Sequence, residues 1–171
     1  MLTAALGLMC LGCSFTPLPE IPKLVGMYQL ETFSYVPFDS GQVKKANDVL
    51  HRSGGNAYLD YDIAPYVQKI NRSVFQKAGL AQGVAPYAIV ASVDMLYVDD
   101  VGYTYEFMYT VTYRIISITS NKEVLKRTYT QQVAVGVYFN VNFGVSLDQL
   151  YTTCVIQFMK DVDVQHLLGW R

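Results

Sequence analysis

Charge is scarce in this chain. Charged residues occupy 16% of its 171 positions, 13 basic against 14 acidic, for a net charge of −1. With no cluster of Lys and Arg, a polyanion would find nothing to hold, so nucleic acid is excluded as a partner. Histidine is scarcer still. His51 and His166 have no Cys, Asp or second His at metal-ligand spacing, so both read as surface residues and no metal is expected. There is no glycine-rich phosphate loop and no dinucleotide fingerprint, and no cofactor is expected. An acyltransferase would show a hexapeptide repeat or a His followed four residues on by Asp, and neither is present. The three cysteines, Cys10, Cys13 and Cys154, are too few and too scattered for a disulfide framework or a zinc site. The longest apolar run, Leu2 to Leu11, has about ten residues, where a bilayer core of ~30 Å requires ~20 in a helix.

That short run has the length of a secretory-signal core. It closes on Leu11-Gly12-Cys13, and the three residues resemble the lipobox of bacterial lipoproteins, in which a small residue precedes the cysteine. The sequence departs from that family at Cys10, where an aliphatic is usual, and in lacking Lys or Arg before the run. The resemblance implies cleavage after Gly12, diacylglycerol and palmitate on Cys13, and attachment to a membrane through that lipid. Ser14 follows where inner-membrane lipoproteins often carry Asp, which implies the periplasmic face of the outer membrane. Ser14-Phe15-Thr16-Pro17-Leu18-Pro19 is uncharged and broken by prolines, as a tether would be. The expected organisation is a signal peptide over 1–12, a tether over 13–22 and one periplasmic domain over 23–171.

Apolar residues make up 51% of the chain, and a domain of this size buries roughly two-thirds of its unfolded surface without staples. Lys23 to Tyr35 has strand composition and ends at the turn signal Val36-Pro37-Phe38-Asp39. Gln42 to His51 has a weak helical spacing. Ile63, Val67, Ile70, Val74 and Ala78 form one stripe of a helix, with Pro65 in its first turn and Gly79 as its stop. Tyr87 to Val98 reads as a strand with Tyr87, Ile89, Ala91, Val93, Met95 and Tyr97 on one face, followed by a turn at Asp99-Asp100-Val101-Gly102. Tyr103 to Ile115 alternates most cleanly, placing Tyr103, Tyr105, Phe107, Tyr109, Val111, Tyr113 and Ile115 on one face and Thr104, Glu106, Thr110, Thr112 and Arg114 on the other. Ser120-Asn121-Lys122-Glu123 turns into a third strand from Val124 to about Val135. Ser146 and Gln149 form a capping-box pattern for a last helix, with a stripe of Leu147, Leu150, Cys154, Phe158 and Val162. The order β-α-β-β-β-α, with two one-striped helices, predicts an α+β two-layer sandwich whose mainly antiparallel sheet is covered by two helices.

That order, with Val36-Pro37-Phe38, Lys77-Ala78-Gly79-Leu80, Ala85-Pro86-Tyr87-Ala88-Ile89-Val90 and Lys122-Glu123-Val124-Leu125, resembles a small periplasmic α/β domain. It is the one shared by the N-terminal domain of the Tol-system propeller protein and by auxiliary lipoproteins of envelope ABC transporters. The resemblance spans roughly residues 23 to 165 and implies a non-enzymatic module with an envelope protein partner.

No residues declare a catalytic site. Gly144-Val145-Ser146-Leu147-Asp148 half-matches a nucleophile elbow but lacks its closing glycine. Asp60 and Asp62 read as helix-start chemistry, and Asp99 and Asp100 as a turn. The 14 tyrosines fall largely on strands, where they pack with the hydroxyl at the surface. Asn71-Arg72-Ser73 is a sequon inside a helix pattern. The connector Gly136–Gly144 is richer in apolar side chains than a surface loop needs. Tyr138, Phe139, Val141 and Phe143 are therefore the candidate partner-binding edge, the alternative being a last strand of the core. The expected function is a lipid-anchored, non-catalytic periplasmic module that supports an envelope complex or lipid-transport machinery. Two alternatives stand beside it: a small periplasmic enzyme with a site assembled from distant residues, and a small-ligand binding protein.

Overall fold

The computed structural model describes residues 18–35, 49–52, 55–58, 62–101, 104–136 and 143–171. In chain order the elements are β1 (Met27–Tyr28), β2 (Ser34–Tyr35), β3 (Val49–Arg52), β4 (Gly55–Tyr58), α1 (Ile63–Ala78), β5 (Ala81–Gln82), β6 (Tyr87–Val101), β7 (Thr104–Ser117), β8 (Lys122–Gly136), α2 (Phe143–Lys160) and α3 (Val162–Leu168). Strands β2, β6, β7 and β8 form one sheet in that order, with β2 parallel to β6 and the other pairs antiparallel. Helices α1 and α2 pack side by side on one face, α2 over β7 and β8. This is an α+β fold.

Strand β7 is the axis of the core. Phe107, Tyr109, Val111, Tyr113 and Ile115 are all buried, and Thr110 and Arg114 lie on the uncovered face, as period two requires. Ile63, Val67, Val74 and Ala78 of α1 close over them, and Gly79 ends the helix in the left-handed conformation at φ 100°. A Cβ at Gly79 would come within 2.7 Å of the Leu24 carbonyl oxygen, so the glycine also permits a close backbone approach.

Five features differ from the sequence expectation. Strand β6 changes phase at a bulge between Val93 and Met95. The extra residue, Asp94, accepts the hydroxyls of Ser92 at 2.8 Å and Thr112 at 2.5 Å on the uncovered face. Beyond it Leu96 and Val98 turn inward, while Met95 and Tyr97 leave the core. The β6–β7 hairpin is tighter than the turn expected at Asp99–Gly102: Asp99 and Asp100 stay in β6, opposite Glu106 and Tyr105, and Val101 pairs Thr104. The N-terminal strand is two short pieces. β1 pairs β5, then Leu30 bridges Ile89 before β2 joins β6. Val49 to His51 belongs to a β-hairpin with β4, not to a helix.

The last helix is two helices. α2 starts at Phe143, which leaves Ser146 inside it and buried, so Ser146 is not its cap. Asp161 breaks the helix and caps α3, accepting the N–H groups of Asp163 at 2.9 Å and Val164 at 3.3 Å. Val162 therefore leads a new helix and is exposed, not part of the buried stripe. Arg127 and Tyr129 of β8 bind the same Asp161 carboxylate, each at 3.0 Å, and Arg127 also pairs with Asp163. The Asp161 carboxyl is held below its ordinary range: partial burial pushes it up, and the four hydrogen bonds outweigh that.

Candidate functional site

Cys13 and the residues Tyr138, Phe139 and Val141 lie outside the described residues. Phe143 is the first residue of α2, so that end of the candidate edge is helical. His51 is in β3, and His166 is exposed on α3. Asp62 occupies the N-cap position of α1 without a side-chain cap bond, and Asp60 lies outside the described residues. Among the described residues no three His, Cys, Asp or Glu side chains converge as metal ligands.

Ser146 and Asp148 remain close in sequence, but their surroundings are those of packing. Asp148 accepts the Tyr66 hydroxyl at 3.2 Å, tying the N-terminal halves of α1 and α2 together. Partial burial pushes its carboxyl above the ordinary range, against the pull of the Tyr66 bond. Asn71 of the sequon is fully buried. It accepts the Tyr113 hydroxyl at 2.8 Å and donates to the Val67 carbonyl at 2.9 Å, so it is a structural amide.

Some tyrosines lie wholly in the core, while others among the described residues are half-buried. Tyr28, Tyr109, Tyr113 and Tyr151 are among the largest fully buried side chains. Tyr113 stacks on Phe158 at 4.3 Å between centroids, and Tyr109 meets Tyr151 edge-on at 4.8 Å. Burial pushes the Tyr109 and Tyr113 hydroxyls well above the ordinary tyrosine range. Both hydroxyls therefore keep their protons at neutral pH. Cys154 is a buried free thiol, pushed by burial up to about 12, and so is not nucleophilic at neutral pH.

Among the described residues, crevices open on the surface at two places. One, of 290 Å³, lies between Pro19, the stretch Gln131–Val133 of β8, and Gln149, Leu150 and Thr153 of α2. The other, of 520 Å³, is bordered by Gln29, Leu30, Gln82, Gly83 and Val84. Neither is lined by an ionisable side chain, and both are open to solvent, so neither offers acid–base or nucleophilic chemistry. Sequence reasoning missed both, because each joins segments far apart in the chain. The only local sign was the pair Gln131-Gln132 in a strand otherwise rich in Thr and Val.

No protein-family model matches the chain, and no curated protein matches it by sequence. Its fold is similar to that of crystallised protein XCC0632 from Xanthomonas campestris, of family DUF330, at 15% identity and a TM-score of 0.55 over 90% of each chain. A putative lipoprotein from Caulobacter crescentus matches 61% of this chain and 82% of its own at 14% identity and a TM-score of 0.40. Lipoprotein GNA1162 from Neisseria meningitidis matches 80% of this chain and 99% of its own at 10% identity and a TM-score of 0.46. At these identities the likeness is one of fold. The neighbours include proteins described as bacterial lipoproteins.

Proposed function

We propose that the chain is a lipid-anchored, non-catalytic module of a bacterial envelope, held at the periplasmic face of the outer membrane by lipid on Cys13. In this reading it supports an envelope protein complex or a lipid-transport machine. The observation that carries it is the order of the N-terminal residues: an apolar run, Leu11-Gly12-Cys13, then an uncharged stretch broken by prolines. Among the described residues Leu18 is 54% exposed, Ile21 packs partly buried against the core, and Leu24 is the first to be fully buried. Stable anchoring needs more than one acyl chain, since a single one binds only marginally.

The test is fractionation. Wild-type protein should sediment with outer membranes and carry a lipid-modified N-terminal peptide by mass spectrometry, whereas Cys13→Ser should move to the soluble periplasmic fraction. Wild-type protein that is soluble and unmodified would overturn the reading.

A further inference from the structure

The two edges of the main sheet are very different. At one, β2 is 2 residues long; at the other, β8 has 15. Every second residue of an edge strand turns its N–H and C=O away from the ladder, which makes a long edge a template for another strand. Among the described residues no backbone hydrogen bond reaches β8 from outside its ladder with β7. Charge, proline and bulges are the devices that protect such an edge. In β8 they stop short. Its charges are Lys122, Glu123, Lys126 and Arg127, and its one register shift falls at Val124. From Thr128 to Gly136, TYTQQVAVG, there is no charge, no proline and no bulge. Thr128, Thr130, Gln132 and Ala134 are exposed on the open face of this stretch. Tyr129, Val133 and Val135 pack on the core on the helix side, yet are only half-buried, with no strand beyond them to cover their outer flank.

A strand added here must be apolar toward the helices and polar toward the open face. The same stretch of a second copy meets that requirement. Antiparallel pairing about Gln132 sets residues of equal parity opposite one another, so both faces continue without a slip. Tyr129 then faces Val135, Gln131 faces Val133, Thr130 faces Ala134, and Gln132 faces its own copy. No like charges meet. A parallel pair would instead set the two basic ends, Lys122 to Arg127, side by side, whereas the antiparallel pair sends them to opposite ends. The contact is isologous about a twofold axis, so it closes at two copies.

The tether is compatible with the same axis. Pro19 borders the smaller crevice with Gln131–Val133 of β8 and with α2, which places it on the helix side of the edge. An axis through Gln132 and normal to the sheet keeps both helix layers on one side. Both copies of Pro19 then lie near the axis on that side, so two lipids can enter one membrane. Confinement there raises the effective concentration for pairing. We propose that Thr128–Gly136 of β8 pairs antiparallel with the same segment of a second copy, joining two four-stranded sheets into one. The strand carries this inference, and only the shared-membrane argument rests on the reading of the chain as anchored.

The test is disulfide trapping of the full chain in membranes, with Cys13 intact. Cys154 is buried, so wild-type protein sets the background. Opposed residues of an antiparallel pair have Cα atoms about 5 Å apart, within disulfide reach. Gln132→Cys should therefore give a product of twice the chain mass on mild oxidation. Thr130→Cys and Ala134→Cys should cross-link when co-expressed but not alone, since each lies about 13 Å from its own copy. Thr110→Cys, one strand further in, should stay monomeric. Gln132→Lys, which opposes like charges at the axis, should lower the Thr130–Ala134 yield about fivefold, whereas Gln132→Ser should leave it unchanged. Gln132 is exposed, and unchanged denaturation curves will show that both variants are folded. No dimer at Gln132→Cys overturns the proposal. So does cross-linking of Thr130→Cys alone or of Thr110→Cys to the same extent, which signals random collision, and so does a product of another mass, which signals a foreign strand. Soluble, unmodified wild-type protein would sink the anchor, and the same oxidation in solution would then decide the pairing.

Discussion

Asn71 and Tyr113 meet in the core between α1 and β7, where neither has access to water. Asn71→Ala would strand the Tyr113 hydroxyl, and an unpaired buried donor costs about 1–3 kcal/mol. Tyr113→Phe would leave the Asn71 carbonyl oxygen in the same position. The expected result in urea unfolding is a similar loss for each single variant. The double variant should lose clearly less than the sum, because removing both partners removes the penalty each leaves behind. A fully additive double variant would show that the bond contributes nothing of its own. The pair also shows why a sequon inside a helix pattern is a poor modification site: its amide is already committed to the backbone of Val67 and to a tyrosine.

Strand β7 supplies the next test, because its two faces differ so sharply. Phe107 is fully buried, whereas the Thr110 hydroxyl meets that of Thr130 at 3.0 Å on the open face. Phe107→Ala should cost ~3–5 kcal/mol through lost burial and the cavity left behind. Thr110→Ala should cost about 1 kcal/mol or less, as an exposed neutral hydrogen bond does. Chemical denaturation of both variants checks this, and similar losses would contradict the register. Elements with a single strong period, such as β7 and α1, were legible in the sequence. Strand β6 was legible only as far as Val93. Beyond it Met95, Leu96, Tyr97 and Val98 are all apolar, so the pattern could not choose a phase. The choice was made by Asp94, whose carboxylate takes hydroxyls from its own strand and from the neighbouring one. The break between α2 and α3 escaped for a related reason: Val162 continued the helical spacing, and the capping by Asp161 depends on Arg127 and Tyr129 from β8.

At the scale of the whole molecule, Cys154 reports on the integrity of the sandwich. It is fully buried on α2 and lies 3.9 Å from the Tyr129 carbonyl oxygen. The thiol should resist alkylation at pH 8 in the native protein and react at once in denaturant, so its rate of modification measures opening. With an ordinary value of 9.0 and a folded value of about 12, the native thiol keeps its proton where the unfolded one loses it. The contribution to stability is therefore complete below pH 9 and declines as pH rises through about 12. Cys154→Ala should flatten that alkaline decline in a series of denaturation curves, and an unchanged slope would refute the assignment.

The sequence by itself determined the class of fold, because period-two and helical stripes report burial residue by residue and need no partner to be named. It also determined the candidate lipid site, since Leu11-Gly12-Cys13 is a contiguous signal. Only the tertiary structure decided the phase of β6 after its bulge, the separation of α3, and the place of β8 at the edge of the sheet. Each of these depends on residues far apart along the chain. Sequence periodicity carries information about one element's faces, whereas a cross-strand carboxylate or an unpaired sheet edge exists only once the chain has closed on itself.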